Sequence, residues 1–515
     1  MMKIKWWWYV LPCVLFYLPF SFSPMCLWDS AVQQHLYNKH NYEAVKQLCF
    51  DSGVPTSYFY FRLLGALPEF VMLSKLIIIL IFCLGVLLTS NILHQLNLLT
   101  DFEIYSVSVI SFFYPVYAMT LHFIMLPYYI SLLCFLGAVN YFLRHSEDLK
   151  TKGVLWIAIL LVITFNIQSF LVYELVLLAI YFFITLKSSA KFSSHLIHFT
   201  KKHYLWIALP FFYYFFIHYF FPREGIYKVD SYNTLQFNVL FTSKELLMST
   251  FNMSVTPWME AIRYFGEDLR SALTYLVIAL SGALLFIRKI IFVPAPKKNL
   301  KWALIFAGVA LATLIPYALV GKHVSTHGFE TRHSLLAHTP SLISLLIFLR
   351  YVGRGQKYII LGLFVLAFFL FLKHQIHWEN RYQKYQAIIF KLQQLDKEKL
   401  NDVVFITEKN HSWAMNEYLR FYECTMLLSD AFHTERHLGI NDEREIHSSS
   451  LAQHYINTYS PYKSTLFFSD FNEQANFSEI EIKEVDADAV SIFINSLRYS
   501  NRAEYYSHFI TVDLK

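Results

Sequence analysis

Long apolar runs recur through residues 1–373, and they constrain the fold more than any other feature of the sequence. A helix needs about 20 mostly apolar residues to cross a bilayer. The chain is 56% hydrophobic and only 16% charged, whereas soluble domains carry about 25% charged residues. A water-soluble core cannot hide this much apolar surface. The runs predict an α-helical polytopic membrane protein with about eleven transmembrane helices, at residues 6–23, 71–93, 105–119, 122–143, 154–168, 170–186, 204–221, 270–287, 302–320, 335–350 and 358–373.

Short clusters of Lys and Arg between these runs predict the orientation of the chain. Basic residues are enriched in cytoplasmic loops. If Lys3 and Lys5 are cytoplasmic, every second loop is too, and of these loops only 94–104 lacks Lys and Arg. The basic residues of the other cytoplasmic loops are Arg144, Lys150, Lys152, Lys187, Lys191, Lys201, Lys202, Arg288, Lys289, Lys297, Lys298, Lys301, Arg350, Arg354 and Lys357. We therefore expect a multi-pass protein of a bacterial inner membrane, with outside loops 24–70, 222–269 and 320–334.

The first apolar run has two readings. Its basic start and the small residues Ser21 and Ser23 are typical of a signal peptide, but Pro24 is unfavourable directly after a cleavage site. We expect an uncleaved anchor. The absence of a visible internal repeat argues against a transporter built from inverted halves.

Residues 374–515 are polar enough and long enough to form a domain with its own core. A polar helix pattern runs from Asn380 to Leu400, and a short apolar strand pattern follows at Val403–Thr407. A second strand pattern alternates apolar and charged residues at Ser478–Val485. The prediction is a small α/β C-terminal domain outside the membrane.

Two cysteines, Cys26 and Cys49, share the first outside loop. In an oxidising compartment they would form a disulfide, and otherwise they are two free thiols. The sequence leaves both alternatives open.

Asp29 is the first candidate for a chemical role. It lies shortly after the first span, in Leu27-Trp28-Asp29-Ser30, where a carboxylate would stand just outside the bilayer. Such a group can act as a general base on an acceptor hydroxyl, or can help to hold a divalent cation such as Mg²⁺ or Mn²⁺. The simpler alternative is a loop carboxylate that caps the helix through Ala31–Tyr37.

Glu174 is the second candidate, because it lies near the outer end of the sixth span, after Asn166 and Gln168. An ionisable group at membrane depth is costly unless it has a partner or a watery cavity, and it is a functional candidate for that reason. An ordinary hydrogen bond between helices is the alternative.

The outside loop 321–333 holds the third set of candidates, Lys322, His323, Arg332 and His333. A guanidinium at the membrane face can bind a lipid-linked phosphate through two parallel hydrogen bonds. His323, His327 and His333 are spaced four and six residues apart, which is not a zinc pattern. We therefore expect donors to phosphate or sugar; the alternative is a simple interfacial anchor.

Several classes of function find no support in the sequence. There is no phosphate-binding Gly-rich loop, nucleotide fingerprint, Gly-x-Ser-x-Gly elbow or His-Glu-x-x-His motif. The net charge of +6 is distributed in short loop clusters, so nucleic acid is not an expected partner. A cytoplasmic nucleotide-driven mechanism is not expected either.

This layout resembles the GT-C superfamily of membrane glycosyltransferases, of the aminoarabinose and protein-mannosyl transferase type. The resemblance rests on Asp29 soon after the first span, on Thr331-Arg332-His333-Ser334-Leu335-Leu336-Ala337-His338-Thr339-Pro340 entering a late span, and on the C-terminal domain. It implies a polyprenyl-phosphate sugar donor and a glycan, lipid or protein acceptor from the cell envelope. Asp29 would be the base or metal-positioning carboxylate, and Glu174 would orient the acceptor or help to hold a metal. Arg332, with Lys322, His323 and His333, would bind the donor phosphate.

Two other functions remain open. A polysaccharide polymerase or ligase acting on lipid-linked glycan would use loops 222–269 and 320–333 and would not need Asp29. A non-enzymatic transporter or scaffold is the third hypothesis; transporters usually place acidic residues at mid-membrane, whereas the acids here gather near one face.

Overall fold

The structure is a computed structural model that describes most of the chain. The described residues are 5–27, 29–38, 40–67, 69–113, 121–145, 151–185, 192–222, 238–287, 300–326, 329–401, 403–409, 413–414, 419, 421–433, 437–441 and 477–515. The second half of the predicted third span, Trp28 and His327 lie outside these ranges.

Helices dominate the first 392 residues. In chain order they are α1 (Trp6–Ser21), α2 (Asp29–Asn38), α3 (Tyr42–Asp51), α4 (Pro55–Gly65), α5 (Phe70–Leu96), α6 (Asp101–Ile110), α7 (Leu126–His145), α8 (Thr151–Thr164), α9 (Ser169–Thr185), α10 (Phe192–Phe220), α11 (Val239–Ser254), α12 (Thr256–Glu267), α13 (Leu269–Ile287), α14 (Leu300–Ala318), α15 (His338–Leu349) and α16 (Gln356–Leu392). Short 3-10 turns at Phe123–Met125 and Phe329–Ser334 lead toward α7 and α15.

Within the described residues, five helical segments are long and apolar enough to cross a membrane: Phe70–Leu96, Phe123–His145, Leu269–Ile287, Leu300–Ala318 and Gln356–Leu392. Shorter apolar helices lie at Lys152–Thr164 and Ser169–Ala179. The chain is therefore a helical membrane protein, but the described residues do not reach the eleven spans that the apolar runs predict. Two of the predicted spans form helices of only 16 residues (α1) and 12 residues (α15), whereas about 20 are needed for a full crossing.

The C-terminal residues form a small α/β unit, as predicted. The strands among its described residues are β1 (Val403–Lys409), β2 (Leu438–Ile440), β3 (Phe477–Glu484) and β4 (Ile510–Leu514), in the order β2-β1-β3-β4. Strand β1 pairs in parallel with β2 and β3, and β3 pairs antiparallel with β4. Helices α17 (Phe421–Phe432), α18 (Ala489–Ser496) and α19 (Arg502–Ser507) accompany the sheet.

Alternation of side chains explains the position of the sheet. Val404 and Ile406 of β1 and Ile480 and Ile482 of β3 are buried in one core, because every second residue of a strand faces the same side. Both strands that the sequence predicts are confirmed.

Helix α16 joins the membrane part to this unit without a break. It has 37 residues and is therefore about 55 Å long at 1.5 Å per residue. The domain boundary predicted at residue 373 falls inside it. Its second half packs against α17, α18, α19 and β4.

Helix α5 separates two ends of the molecule. At its start, the Phe70 ring contacts the rings of Tyr37 and Phe123, with centroids 5.1 and 5.4 Å apart. Beyond its last residue, the Leu98 carbonyl accepts a hydrogen bond from Arg350 at 2.7 Å. The 27 residues of α5 span about 40 Å. The described residues of segments 24–69 and 121–126 therefore lie at one end, and segments 97–103 and 350–356 lie at the other.

Candidate functional site

Arg332 lies in the 3-10 turn Phe329–Ser334 at the entrance to α15. Its guanidinium carbon is 5.6 Å from the centre of the Tyr128 ring, near the start of α7. The hydroxyl of Ser334 donates to the Thr331 carbonyl at 2.8 Å, which ties the turn together. The Arg332 side chain is half-buried, and a cation over an aromatic face is attracted by the negative charge of the ring.

His333 is held between the turn and α14. Its ring stacks on that of Tyr317 with centroids 4.3 Å apart, and its Nδ1 donates to the His323 carbonyl at 3.2 Å. Burial and the charge of Arg332 hold the pKa of His333 well below its usual value, so the ring is neutral. Since a carbonyl only accepts hydrogen bonds, Nδ1 carries the proton and Nε2 is left as an acceptor.

His323 and its neighbours join the loop to α11. The Nδ1 of His323 is 2.9 Å from a carboxylate oxygen of Glu245. The Val324 amide donates to Ser249 Oγ at 3.0 Å, and Asn252 Nδ2 donates to the Val324 carbonyl at 2.7 Å. The charge of Lys322 also acts on His333. The predicted group Lys322, His323, Arg332 and His333 is therefore brought together in one place.

Glu174 lies on helix α9. It lines a cavity of about 230 Å³ between side chains of α5, α7, α8, α9, α10, α14 and α15. Its side chain is only 5% exposed, and neither carboxylate oxygen has a hydrogen-bond partner. The preceding residue, Tyr173, donates to the Thr313 carbonyl at 3.0 Å and also shares a hydrogen bond with Tyr317.

The cavity begins beside the Arg332 turn. Leu335 and Leu336, which follow Arg332 by three and four residues, are among its lining residues. Glu174 is the sole carboxylate among the described lining residues. All the others are apolar, aromatic, threonine or proline. A cationic turn thus stands at the edge of an apolar space inside the helical bundle.

Asp29 begins α2, and its side chain lies outside the description. The position of its backbone is clear from the next residue: Ser30 Oγ accepts a hydrogen bond from the Ile124 amide at 3.4 Å. Tyr128, whose ring lies below the Arg332 guanidinium, follows Ile124 by four residues. Four residues span about 6 Å along a helix. The start of α2 and the Arg332 turn therefore meet the same short stretch of chain at the beginning of α7.

A buried polar network was not found from the sequence. Lys75 of α5 is 0% exposed and donates to the Ser23 carbonyl at 2.7 Å. Ser23 Oγ in turn donates to Glu379 of α16, which also accepts from Arg502 at 2.9 Å. Lys75 could have been identified from the sequence, because a lysine inside an apolar run is costly in a bilayer. No sequence pattern indicates the pairing of Glu379 with Arg502, which are 123 residues apart.

The loop cysteines are free. Cys26 and Cys49 are both buried in one apolar cluster, and all six cysteines of the chain are unbridged. Burial raises the pKa of Cys49 to about 12 and also raises the pKa of Cys26. Both groups are therefore protonated, unreactive thiols.

A metal site is not seen in the described part of the chain. No group of three or more His, Cys, Asp or Glu side chains there is arranged to hold an ion. Of the two carboxylates that the sequence suggested as metal ligands, Glu174 belongs to no such group, and the Asp29 side chain lies outside the described residues.

Comparison with protein-family models and with curated proteins gives no match. The resemblance to the GT-C superfamily stays a prediction, and function is inferred from the residues and their geometry.

Proposed function

We propose that this protein is a membrane glycosyltransferase that moves a sugar from a polyprenyl-phosphate-type donor to a glycan, lipid or protein acceptor. One observation carries the proposal: the turn that holds Arg332 leads directly into Leu335 and Leu336, which line an apolar cavity within the bundle. A lipid-linked phosphate has the same two parts, an anion and an apolar chain. A guanidinium matches the phosphate geometry through paired hydrogen bonds, and an apolar space within the membrane part suits the chain.

Arg332, Lys322 and His323 would bind the donor phosphate and stabilise the charge that develops as it leaves. His333 takes a different part. Because its Nδ1 is engaged by the His323 carbonyl and the ring is neutral, it offers no proton to a phosphate. His333 is therefore a positioning residue that holds the two sides of the loop together.

Asp29 would act as the general base. Its carboxylate takes the proton from the acceptor hydroxyl, the hydroxyl oxygen bonds to the anomeric carbon, and the bond from that carbon to the donor phosphate oxygen breaks. The phosphate leaves with the electron pair and stays at Arg332. The support for this role is the contact of Ser30 with Ile124, which places the start of α2 near the Tyr128–Arg332 pair.

The test replaces Asp29 by Asn and measures transfer from polyprenyl-phosphate sugars by the purified full-length protein. Since a general base contributes about 100-fold or more to a rate, Asp29→Asn should reduce transfer by at least that factor. Asp101→Asn, at the other end of the bundle, is the matched control and should keep its activity. A fully active Asp29→Asn protein that is folded and membrane-inserted would remove Asp29 from the mechanism.

A polysaccharide polymerase or ligase is the second candidate, and one contact favours it. Helix α11 and the loop after α14 are joined through Glu245–His323 and Ser249–Val324, which are the two regions that such an enzyme would use. It would not need Asp29. Retained activity of Asp29→Asn on lipid-linked glycan, with no transfer from a monosaccharide donor, would select this function.

A further inference from the structure

Glu174 is a buried carboxyl that the proposed transfer reaction does not use. Its side chain is 5% exposed and faces the cavity between α5, α7, α8, α9, α10, α14 and α15. Neither of its oxygens has a hydrogen-bond partner. Buried polar groups in proteins are nearly always paired, so each exception calls for a physical explanation.

Three other polar groups of the cavity wall have partners within the protein. Thr313 Oγ1 donates to the Ala310 carbonyl at 2.6 Å, Thr339 Oγ1 donates to Ser111 Oγ at 3.2 Å, and Tyr173 donates to Thr313 at 3.0 Å. These contacts leave Glu174 as the group on the wall to which a ligand would bind. A carboxylate in an apolar space is unfavourable unless a cation or hydrogen-bond donor joins it.

The remainder of the wall suits a cation attached to an apolar chain. Leucine, isoleucine and valine side chains from several helices form most of the surface, and aromatic rings of Tyr181 and Trp206 are also part of it. Aromatic faces attract ammonium groups when water is excluded. The described wall contains no Lys, Arg or His that would favour an anion.

We propose that this cavity binds an amphiphile that carries a primary amine, with the ammonium group paired to Glu174 and the apolar chain against the leucine-rich wall. The volume of about 230 Å³ lies below the usual 300–1,000 Å³ of small-molecule sites, so the cavity takes a single short chain. The donor chain of the proposed transfer reaction would compete for this cavity, but amine binding is tested apart from that reaction, because it is an equilibrium and needs no turnover.

The test compares three probes of equal chain length, dodecylamine, dodecanol and dodecanoate, on the purified full-length protein in detergent. Binding is measured by native mass spectrometry and by competition between the probes. We expect dodecylamine to bind about tenfold or more tightly than dodecanol, because a charge-assisted pair is stronger than a neutral hydrogen bond. Dodecanoate should bind most weakly of the three. Equal binding of the amine and the alcohol would overturn the proposal.

Glu174→Gln separates pairing with the carboxylate from simple partition into the cavity. It should weaken dodecylamine binding about tenfold or more while leaving dodecanol binding unchanged. Glu267→Gln, a carboxylate-to-amide change on α12 away from the cavity, is the matched control and should alter neither. Amine binding that survives in Glu174→Gln would contradict the proposal.

A third variant keeps the test decisive if Glu174→Gln does not fold. Leu336→Trp fills part of the cavity and retains the carboxylate. It should reduce binding of both dodecylamine and dodecanol. If dodecylamine binding in Leu336→Trp equals that of the wild type, the amine binds elsewhere and the cavity is not its site.

Discussion

Arg350 and Glu103 form a buried ion pair at the end of the bundle opposite to the candidate site. Arg350 Nε and a terminal nitrogen donate to the two oxygens of Glu103 at 2.8 and 2.7 Å, and Gln356 adds a third hydrogen bond at 2.9 Å. Burial alone raises the pKa of Glu103, but the hydrogen bonds from Arg350, the Thr100 amide and Gln356 outweigh it and hold the pKa below its usual value. The pair fastens α6 to the ends of α15 and α16.

Removing one partner should be strongly destabilising. Arg350→Ala leaves the Glu103 carboxylate buried without its main partner, and such a change is expected to lower the free energy of unfolding by about 3–5 kcal/mol. The double variant Glu103→Gln/Arg350→Met should recover much of that loss. Unfolding in mixed detergent measures both.

The exposed pair Arg263–Glu267 of α12 supplies the control. Arg263→Ala should change the free energy of unfolding by less than about 1 kcal/mol, because exposed pairs contribute little. An equally small effect of Arg350→Ala would show that the buried pair does not hold the helices together.

At the candidate site, sequence and structure agree in part. Lys322, His323, Arg332 and His333 were visible because they are close together in the chain, and the structure brings these four together. Glu245 was not predicted, because its partner His323 is 78 residues away and only the fold brings them to 2.9 Å. Likewise, the neutral state of His333 depends first on the burial of its ring, which no spacing rule reveals.

At the scale of elements, α16 shows that sequence patterns can divide one continuous helix into two. Its apolar run ends near residue 373, and a separate polar helix from Asn380 was predicted. The structure joins them because the polar residues of the second half are buried and paired. Arg381 and Lys384 both contact Glu408 of β1, at 3.0 and 3.2 Å. A buried polar face resembles an exposed one in the sequence.

Glu408 makes the attachment of α16 to the sheet sensitive to pH. Burial raises its pKa, but Arg381 and Lys384 overcome that effect and hold it at about 2. Because the folded-state pKa lies below the unfolded value of about 4.3, the stabilisation is complete above that value and is lost as the pH falls toward 2. The free energy of unfolding should fall by roughly 3 kcal/mol over this interval.

The pH dependence can be assigned to this residue by comparison. Glu408→Gln should be less stable than the wild type at pH 7, and the difference between the two proteins should shrink as the pH falls from 5 to 2. Thermal unfolding followed by circular dichroism at several pH values measures this. A difference that stays constant over the interval would show that Glu408 is not the responsible group.

At the scale of the whole molecule, apolar runs indicate a helical membrane protein reliably but not the number of its crossings. The prediction of eleven spans counted runs in α1 and α15 that form short helices. Hydropathy reports that a segment avoids water. It does not report whether the segment faces lipid or is covered by neighbouring helices, as Tyr17 of α1 and Leu346 of α15 are.

The two ends of the bundle predict the side of the membrane from which a reagent reaches each loop. Helix α12 contacts α16 through Glu260 and Lys373 at 2.7 Å, close to the C-terminal unit, whereas Gln95 lies at the far end of α5. Cysteines introduced at Arg263 and Tyr499 should therefore react with an impermeant thiol reagent from the same side of sealed vesicles, and a cysteine at Gln95 should react from the other.

The native thiols give little background in this experiment. Five of the six cysteines are buried, and Cys134, which is half-buried, can be replaced by Ala. Labelling of all three introduced cysteines from one side would contradict the arrangement of the two ends.

The most direct test of the central claim is transfer from lipid-linked sugars by the purified protein and its Arg332 variants. Incubation of the wild type with a panel of polyprenyl-phosphate sugars should yield a transferred sugar from at least one donor. Arg332→Gln should lower that rate by about 100-fold or more, because it removes the charge that stabilises the leaving phosphate. Arg332→Lys should lie between the two, and Arg263→Gln should match the wild type. No transfer from any donor, or an Arg332→Gln protein as active as the wild type, would contradict the account.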